Sequence, residues 1–316
     1  MKRRAKDILV VGGTGALGFR ICERLVRRGH AVTAIHRKEN SPNLARLRAM
    51  GCRTVRCDIR KPGALEAALC EVTHAIFTPI LTDSGPAFRH LTEARLEKAV
   101  LFSSANVCLP NPCQKYRAIM AEESAIGEVS QRALILRPAM IYGYAGDGNL
   151  SRILAAARRF PLTPMPGLGR ARCQPIHVDD LADLAVKAIL SKKVPNLAIA
   201  AGPTPLSMKG VMTSVRQASG LPGLVFPVPT WPLKHLSRLS RFPLDQQQIE
   251  RADADRVPSE IPHIPGWHPQ ITLDAGLRRL NAALDAEAGS PHIRRVRQRA
   301  LGGFHVRRPG HSIRHR

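Results

Sequence analysis

The chain has 316 residues, 44% hydrophobic and only 4% aromatic, and its 48 Lys and Arg outweigh 24 Asp and Glu to leave a formal net charge of +24. This length can bury the core of one large or two modest domains. No apolar run approaches a membrane span, the run after MKRRAKD is broken by glycines too early for a signal peptide, and so few aromatics leave no stacking platform for RNA.

The first predicted elements lie in Asp7 to Gly18, DILVVGGTGALG. An apolar strand, Ile8 to Val11, runs into glycines at two overlapping spacings: Gly12, Gly15, Gly18 and Gly13, Gly15, Gly18. A helical pattern, FRICERLVRRG, follows at once. Strand, tight turn and helix start in this order suit a dinucleotide pyrophosphate, because glycine admits a close backbone approach and a helix N-terminus offers free N–H groups. Thr14, Ala16 and Leu17 complete the loop. A second strand, Ala31 to Ile35, ends in His36, Arg37 and Lys38, with no acid placed to hold a ribose 2′-hydroxyl. Arg37 can instead pair a 2′-phosphate bidentately and Lys38 adds a point charge, so the expected cofactor is NADP, with NAD as the alternative. In so basic a chain, solvated surface cations are the plainer reading of the pair.

Further strands are expected at Arg53 to Cys57, Ala75 to Thr78, Ala99 to Ser103 and Ala133 to Arg137. Helices are expected at Lys61 to Cys70, Ala87 to Lys98 and Lys115 to Ser130. This alternation predicts an α/β fold with a doubly wound, Rossmann-like parallel sheet over residues 1–145. Asp58, Thr78, Ser104 and Pro138 fall at carboxyl ends of strands, so they share one edge with the glycine loop.

Residues 146–285 are expected to form a smaller substrate lobe with some interleaved elements. Phe160 to Gly169 reads as a loop and Pro175 to Val178 as a short strand. Asp179 or Asp180 is expected to cap the next helix, while His177 reads as structural or pocket-lining. A strand at Asn196 to Ala200 and a helix at Ser207 to Ser219 follow, then a proline-punctuated stretch from Pro222 to Pro243. From Gly289 to Arg316 there are eight arginines, four histidines and no acid, so residues 286–316 are expected to be a basic, disordered tail with weak non-specific polyanion binding. The seven cysteines are odd in number and lack CxxC or metal-ligand spacing, which fits reduced thiols and a cytoplasmic setting; no metal is expected.

Six segments together resemble the short-chain dehydrogenase/reductase superfamily: GGTGALG at Gly12, CDIRKPGALEAAL at Cys57, VLFSSANV at Val100, LRPAMIYG at Leu136, PIHVDDLADLAVKAI at Pro175 and AAGPTPLSMKGV at Ala200. The likeness is to its extended and atypical branch, which includes nucleotide-sugar epimerases and dehydratases, NmrA-like proteins and the NDUFA-type accessory subunit of respiratory complex I. The resemblance implies that Asp58 and Ile59 lie beside the adenine, Thr78 and Pro79 near the ribose, and Pro138 and Met140 near the nicotinamide.

The usual catalytic set of that superfamily is a Ser or Thr with a Tyr and a Lys four residues later. Positions i and i+4 share a helix face, so the ammonium can lower the tyrosine pKa. Ser104 and Tyr116 stand in matching places, but four residues after Tyr116 is Met120. The implied activity is therefore an atypical NAD(P)-dependent oxidoreductase acting on a small carbonyl or related substrate. The alternatives are a non-catalytic NADP-binding sensor or assembly protein, and more narrowly a nucleotide-sugar epimerase or dehydratase. Helices flanking the sheet could pair two copies, but no seam is identified.

Overall fold

The computed structural model describes residues 6–61, 63–66, 72–91, 96–130, 132–231, 254–257 and 264–289. Its centre is a seven-stranded parallel sheet. The strands are β1 (Asp7–Val11), β2 (Ala31–His36), β3 (Arg53–Arg56), β4 (His74–Ile80), β5 (Lys98–Phe102), β6 (Ala133–Pro138) and, far along the chain, β11 (Leu197–Ala200). Their order is β11-β6-β5-β4-β1-β2-β3, so the winding reverses between β1 and β4. Open sheets bind ligands at such a reversal, outside the carboxyl ends of the strands.

The alternation of side chains along β1 feeds two cores. Ile8 and Val10 enter one apolar cluster, Leu9 and Val11 the other. The first cluster lies under α1 (Ala16–Arg27) and α6 (Val178–Leu190), joined also by α2 (Pro42–Ala49) through Leu47. The second lies under α3 (Leu81–Leu91) and α4 (Gln114–Val129). Arg20 and Arg24 of α1 reach Asp179 at 3.1 and 3.0 Å, and Arg24 reaches Asp183 at 2.8 Å, which ties α1 to α6.

A third cluster builds the smaller lobe, around Tyr142, Leu154, Met165, Val211 and Leu277. Its elements are β7 (Ile141–Tyr142), α5 (Leu150–Ala157), β8 (Leu162–Pro166), β9 (Arg172–Cys173), β10 (Ile176–His177), β12 (Leu206–Ser207), α7 (Met208–Ala218), β13 (Leu224–Val228) and α8 (Leu273–Gly289). They make three two-stranded ladders, β7 with β10, β9 with β12 and β8 with β13.

Several expectations are corrected. The helix expected at Ala87 to Lys98 is α3, which starts six residues earlier and holds Pro86 inside it; Lys98 already belongs to β5. In the segment expected as a helix from Lys61 to Cys70, residues 63–65 form a turn, and 67–70 lie outside the described residues. The expected loop Phe160 to Gly169 contains β8, because β13 pairs with it in parallel register, Leu224 opposite Leu162. Neither Asp179 nor Asp180 caps α6. His177 does, its Nδ1 accepting the Asp179 N–H at 3.2 Å. Asp180 Oδ2 instead accepts the N–H groups of Gln270 and Ile271, at 3.1 and 2.9 Å. The basic tail beyond Gly289, and most of Pro222 to Pro243 after Trp231, lie outside the described residues.

Candidate functional site

The glycine loop is shaped by contacts that leave no room for side chains. Gly12 has φ +78°, and both its N–H and that of Gly13 donate to Ile35 O, at 3.0 and 2.9 Å. A Cβ on Gly13 would sit 2.7 Å from the Ala34 Cβ, and one on Gly18 would sit 2.2 Å from Gly12 O. The first glycine therefore turns the chain and the last lets α1 press against the turn. Gly15 is exposed and is the N-cap of α1, with no side-chain cap on the helix. The first-turn amides of Ala16, Leu17 and Gly18 have no acceptor within the helix, so this end favours an anion. Leu17 seats its side chain against the core, and Thr14 offers its carbonyl to Asn43 Nδ2 at 3.0 Å.

Around this loop the structure gathers most of the candidate residues. Thr78 Oγ1 donates to Val11 O at 2.8 Å, and Pro79 lies beside Gly12. These two brace the loop from below. Arg37 and Lys38 are exposed just past β2. Asp58, past β3, takes a two-pronged ion pair from Arg60, at 2.9 and 2.6 Å, and also accepts the Arg60 N–H. That guanidinium holds the Asp58 carboxyl well below the usual carboxylate range, with Arg37 adding in the same direction. Ile59 rests partly on the core and opens onto a cavity of about 220 Å³ that reaches Pro86 and Leu91. Pro138 ends β6 opposite Ala200, while Met140 packs with the lobe's apolar cluster.

Ser104 and Tyr116 are brought together through a residue the sequence reading did not single out. Tyr116 lies on the buried stripe of α4 with Ile119, Glu123 and Ile126, and its ring belongs to the second apolar cluster. Its hydroxyl oxygen accepts from Asn106 Nδ2 at 2.9 Å, and the Asn106 N–H donates to Ser104 Oγ at 3.3 Å. Ser104 thereby caps the short 3-10 turn Ala105–Cys108. Met120 is 40% exposed and offers no charge. Behind α4, Arg137 donates to both carboxylate oxygens of Glu123, at 2.9 and 2.5 Å, and so fixes α4 to β6. Asn106 was legible only as the second residue after Ser104, the usual reach of a capping N–H.

His177 and Tyr142 belong to the frame of the lobe. Their rings meet edge to face with centroids 5.3 Å apart, and both are buried. Burial pushes His177 down to about 4 and Tyr142 well above its ordinary value.

Residues 8–78 match the NAD dependent epimerase/dehydratase family. The 2-alkyl-3-oxoalkanoate reductase of Stenotrophomonas maltophilia is 25% identical over 340 aligned positions, covering 87% of this chain and 98% of that protein. The fold is that of a UDP-glucuronic acid 4-epimerase from Bacillus cereus, at a TM-score of 0.68 and 15% identity over 89% of this chain and 99% of that one. It is equally that of a Thermus thermophilus UDP-glucose 4-epimerase solved with NAD, at 0.64 and 19% over 88% and 99%. The family match and the fold bear out the resemblance to the extended short-chain dehydrogenase/reductase branch.

Proposed function

We propose that this chain, whose amino-terminal unit matches an NAD-dependent family, is an NAD(P)-dependent oxidoreductase that reduces a carbonyl. The observation that carries the reading is the glycine cradle at the sheet reversal, with an uncapped helix N-terminus facing it. The backbone from Gly13 to Gly18 would hold the pyrophosphate, and the residues past β3 and β4 the adenosine half. Arg37 and Lys38 would take a 2′-phosphate, which favours NADP over NAD. The bound cofactor would supply a hydride.

On the protein side, Ser104 and Tyr116 would meet the substrate oxygen, Ser104 orienting it and Tyr116 donating the proton. Asn106 supports this reading despite Met120. Its amide reaches the phenolic oxygen at 2.9 Å and holds the hydroxyl in place, a positioning role in the absence of the usual lysine. The likeness to a 2-alkyl-3-oxoalkanoate reductase supports a 3-oxo acid as the substrate class. Met120 and the buried position of Tyr116 favour a second reading, a dinucleotide-binding protein without turnover.

Titration with NADPH and NADH, then NADPH consumption with 3-oxo acids of graded chain length, tests the readings in order. Tight NADPH binding with turnover supports the first. Tight binding without turnover on any oxo acid supports the second, and no binding of either nucleotide overturns both.

A further inference from the structure

The β8–β13 ladder turns an apolar face outward. Leu162 stands opposite Leu224 and Pro164 opposite Phe226, all four exposed on the same side of the two strands. Leu224 is 70% exposed, and Trp231, just past β13, is 69% exposed. Contiguous apolar surface of this kind marks an interaction site.

The face is rigidly built. Arg216 of α7 is buried beneath it and donates to Phe160 O at 2.6 Å, Leu221 O at 3.1 Å and Pro222 O at 3.3 Å, clamping the starts of both strands. Gly223 fits only without a side chain, since a Cβ there would meet Pro161 O at 2.0 Å.

The surroundings select the occupant. Arg159 and Arg170 flank β8 and are exposed, and the sequence has no Asp or Glu from Gly148 to Val178 or from Leu184 to Leu244. The nearby acids Asp285 and Asp255 are already engaged by Arg158 and the Arg172 N–H, so a second copy seated here would bring the exposed Arg159 and Arg170 against like charge. Strand addition is blocked, because Pro164, Pro227 and Pro229 lack the N–H a partner strand needs. Exposed leucines, an aromatic pair and a cationic rim together match the boundary of an anionic bilayer, where Trp and Phe enter the interface and arginines meet phosphate.

We infer that the β8–β13 face is a docking surface for an anionic phospholipid membrane, separate from the dinucleotide edge. The full chain carries two tryptophans, Trp231 and Trp267, so Trp267→Phe leaves Trp231 as the reporter. The probes are phosphatidylcholine vesicles with and without about a third phosphatidylglycerol, bearing brominated acyl chains. The expected result is a blue shift and quenching of Trp231 only with the anionic vesicles. Leu224→Ser with Phe226→Ser should weaken partitioning by about tenfold or more. Trp231→Phe, which leaves Trp267, should show no quenching.

Cosedimentation that high salt abolishes, without quenching of Trp231, would mean purely electrostatic adhesion of a basic chain and would overturn the proposal. So would a Trp231 that is already blue-shifted and shielded without vesicles, with light scattering distinguishing a second copy from cover by residues 232–253.

Discussion

At the scale of single residues, the loop's tolerance can be read in fractions of an ångström. A Cβ on Gly18 would stand 2.2 Å from Gly12 O, so Gly18→Ala must push α1 off the turn. We expect this variant to lose at least about tenfold in dinucleotide affinity, measured by calorimetric titration. An unchanged affinity would show that the cradle is not the binding site. On the proposed 2′-phosphate role of Arg37, Arg37→Asp should weaken NADPH more than NADH, again by about tenfold, since a repelling carboxylate would replace the guanidinium. Equal losses for the two nucleotides would remove the 2′-phosphate assignment. If Tyr116 is the proton donor, Tyr116→Phe should lower kcat by roughly 100-fold and leave NADPH affinity within about twofold. Asn106→Leu, which removes the hydrogen bond that positions the phenolic hydroxyl, should lower kcat by about tenfold while leaving NADPH affinity within about twofold, whereas Asn106→Asp, whose Oδ1 can still pair with the hydroxyl, should keep most of kcat.

At the scale of elements, the buried guanidinium of Arg216 holds the starts of two strands. Arg216→Met leaves the carbonyls of Phe160, Leu221 and Pro222 without this donor, and it should cost about 3 kcal/mol, visible as a lower thermal midpoint. The same region shows why the sequence was only partly legible. Most strands of the main sheet, the edge strand β3 (RTVR, with no buried residue) excepted, announce themselves as short apolar runs, because they are covered on both faces. β8 does not: LTPMP has two prolines and becomes a strand only because Leu224–Val228, some sixty residues later, lies beside it. α3 was misplaced for a local reason. A proline ordinarily stands no deeper than a helix's first turn, yet the structure carries Pro86 inside a helix whose Leu81, Phe88 and Leu91 are buried against the second cluster. The tight turn at the glycine loop, by contrast, was legible, since Gly12, Gly15 and Gly18 constrain one another within one short stretch; its distant braces at Ala34, Ile35 and Thr78 were not. The Asn106 link between Ser104 and Tyr116 was not, because side-chain hydrogen bonds leave no periodic trace.

At the scale of the whole molecule, buried histidines set the acid limit. Burial holds His74 and His177 at about 4 in the folded chain, against an ordinary value of 6.5. Neutral His74 accepts from Lys6 Nζ at 2.6 Å through Nε2, which leaves Nδ1 to donate to Thr73 Oγ1 at 2.8 Å. The unfolded chain takes up these protons first, so stability falls as pH drops below 6.5 and the loss is complete below about 4. The loss is about 3 kcal/mol at His74, with His177 adding in the same direction. Denaturant midpoints at pH 7 and pH 4.5 should show it, and His74→Gln should flatten the difference.

The ion pairs between α1 and α6, and the place of β11 at the edge of the sheet, also govern how the chain emerges during synthesis. α1 ends at Arg27 and α6 begins at Val178, so roughly 150 residues must be made between them, which takes on the order of ten to thirty seconds. Throughout that interval the nascent glycine-loop unit lacks the helix that covers Ile8, Val10 and Ile21, and β6 lacks its outer neighbour. A fragment of residues 1–145 should accordingly aggregate or melt without cooperativity. The ribosome-bound chain should instead depend on a holding chaperone until the segment through Ala200 is free.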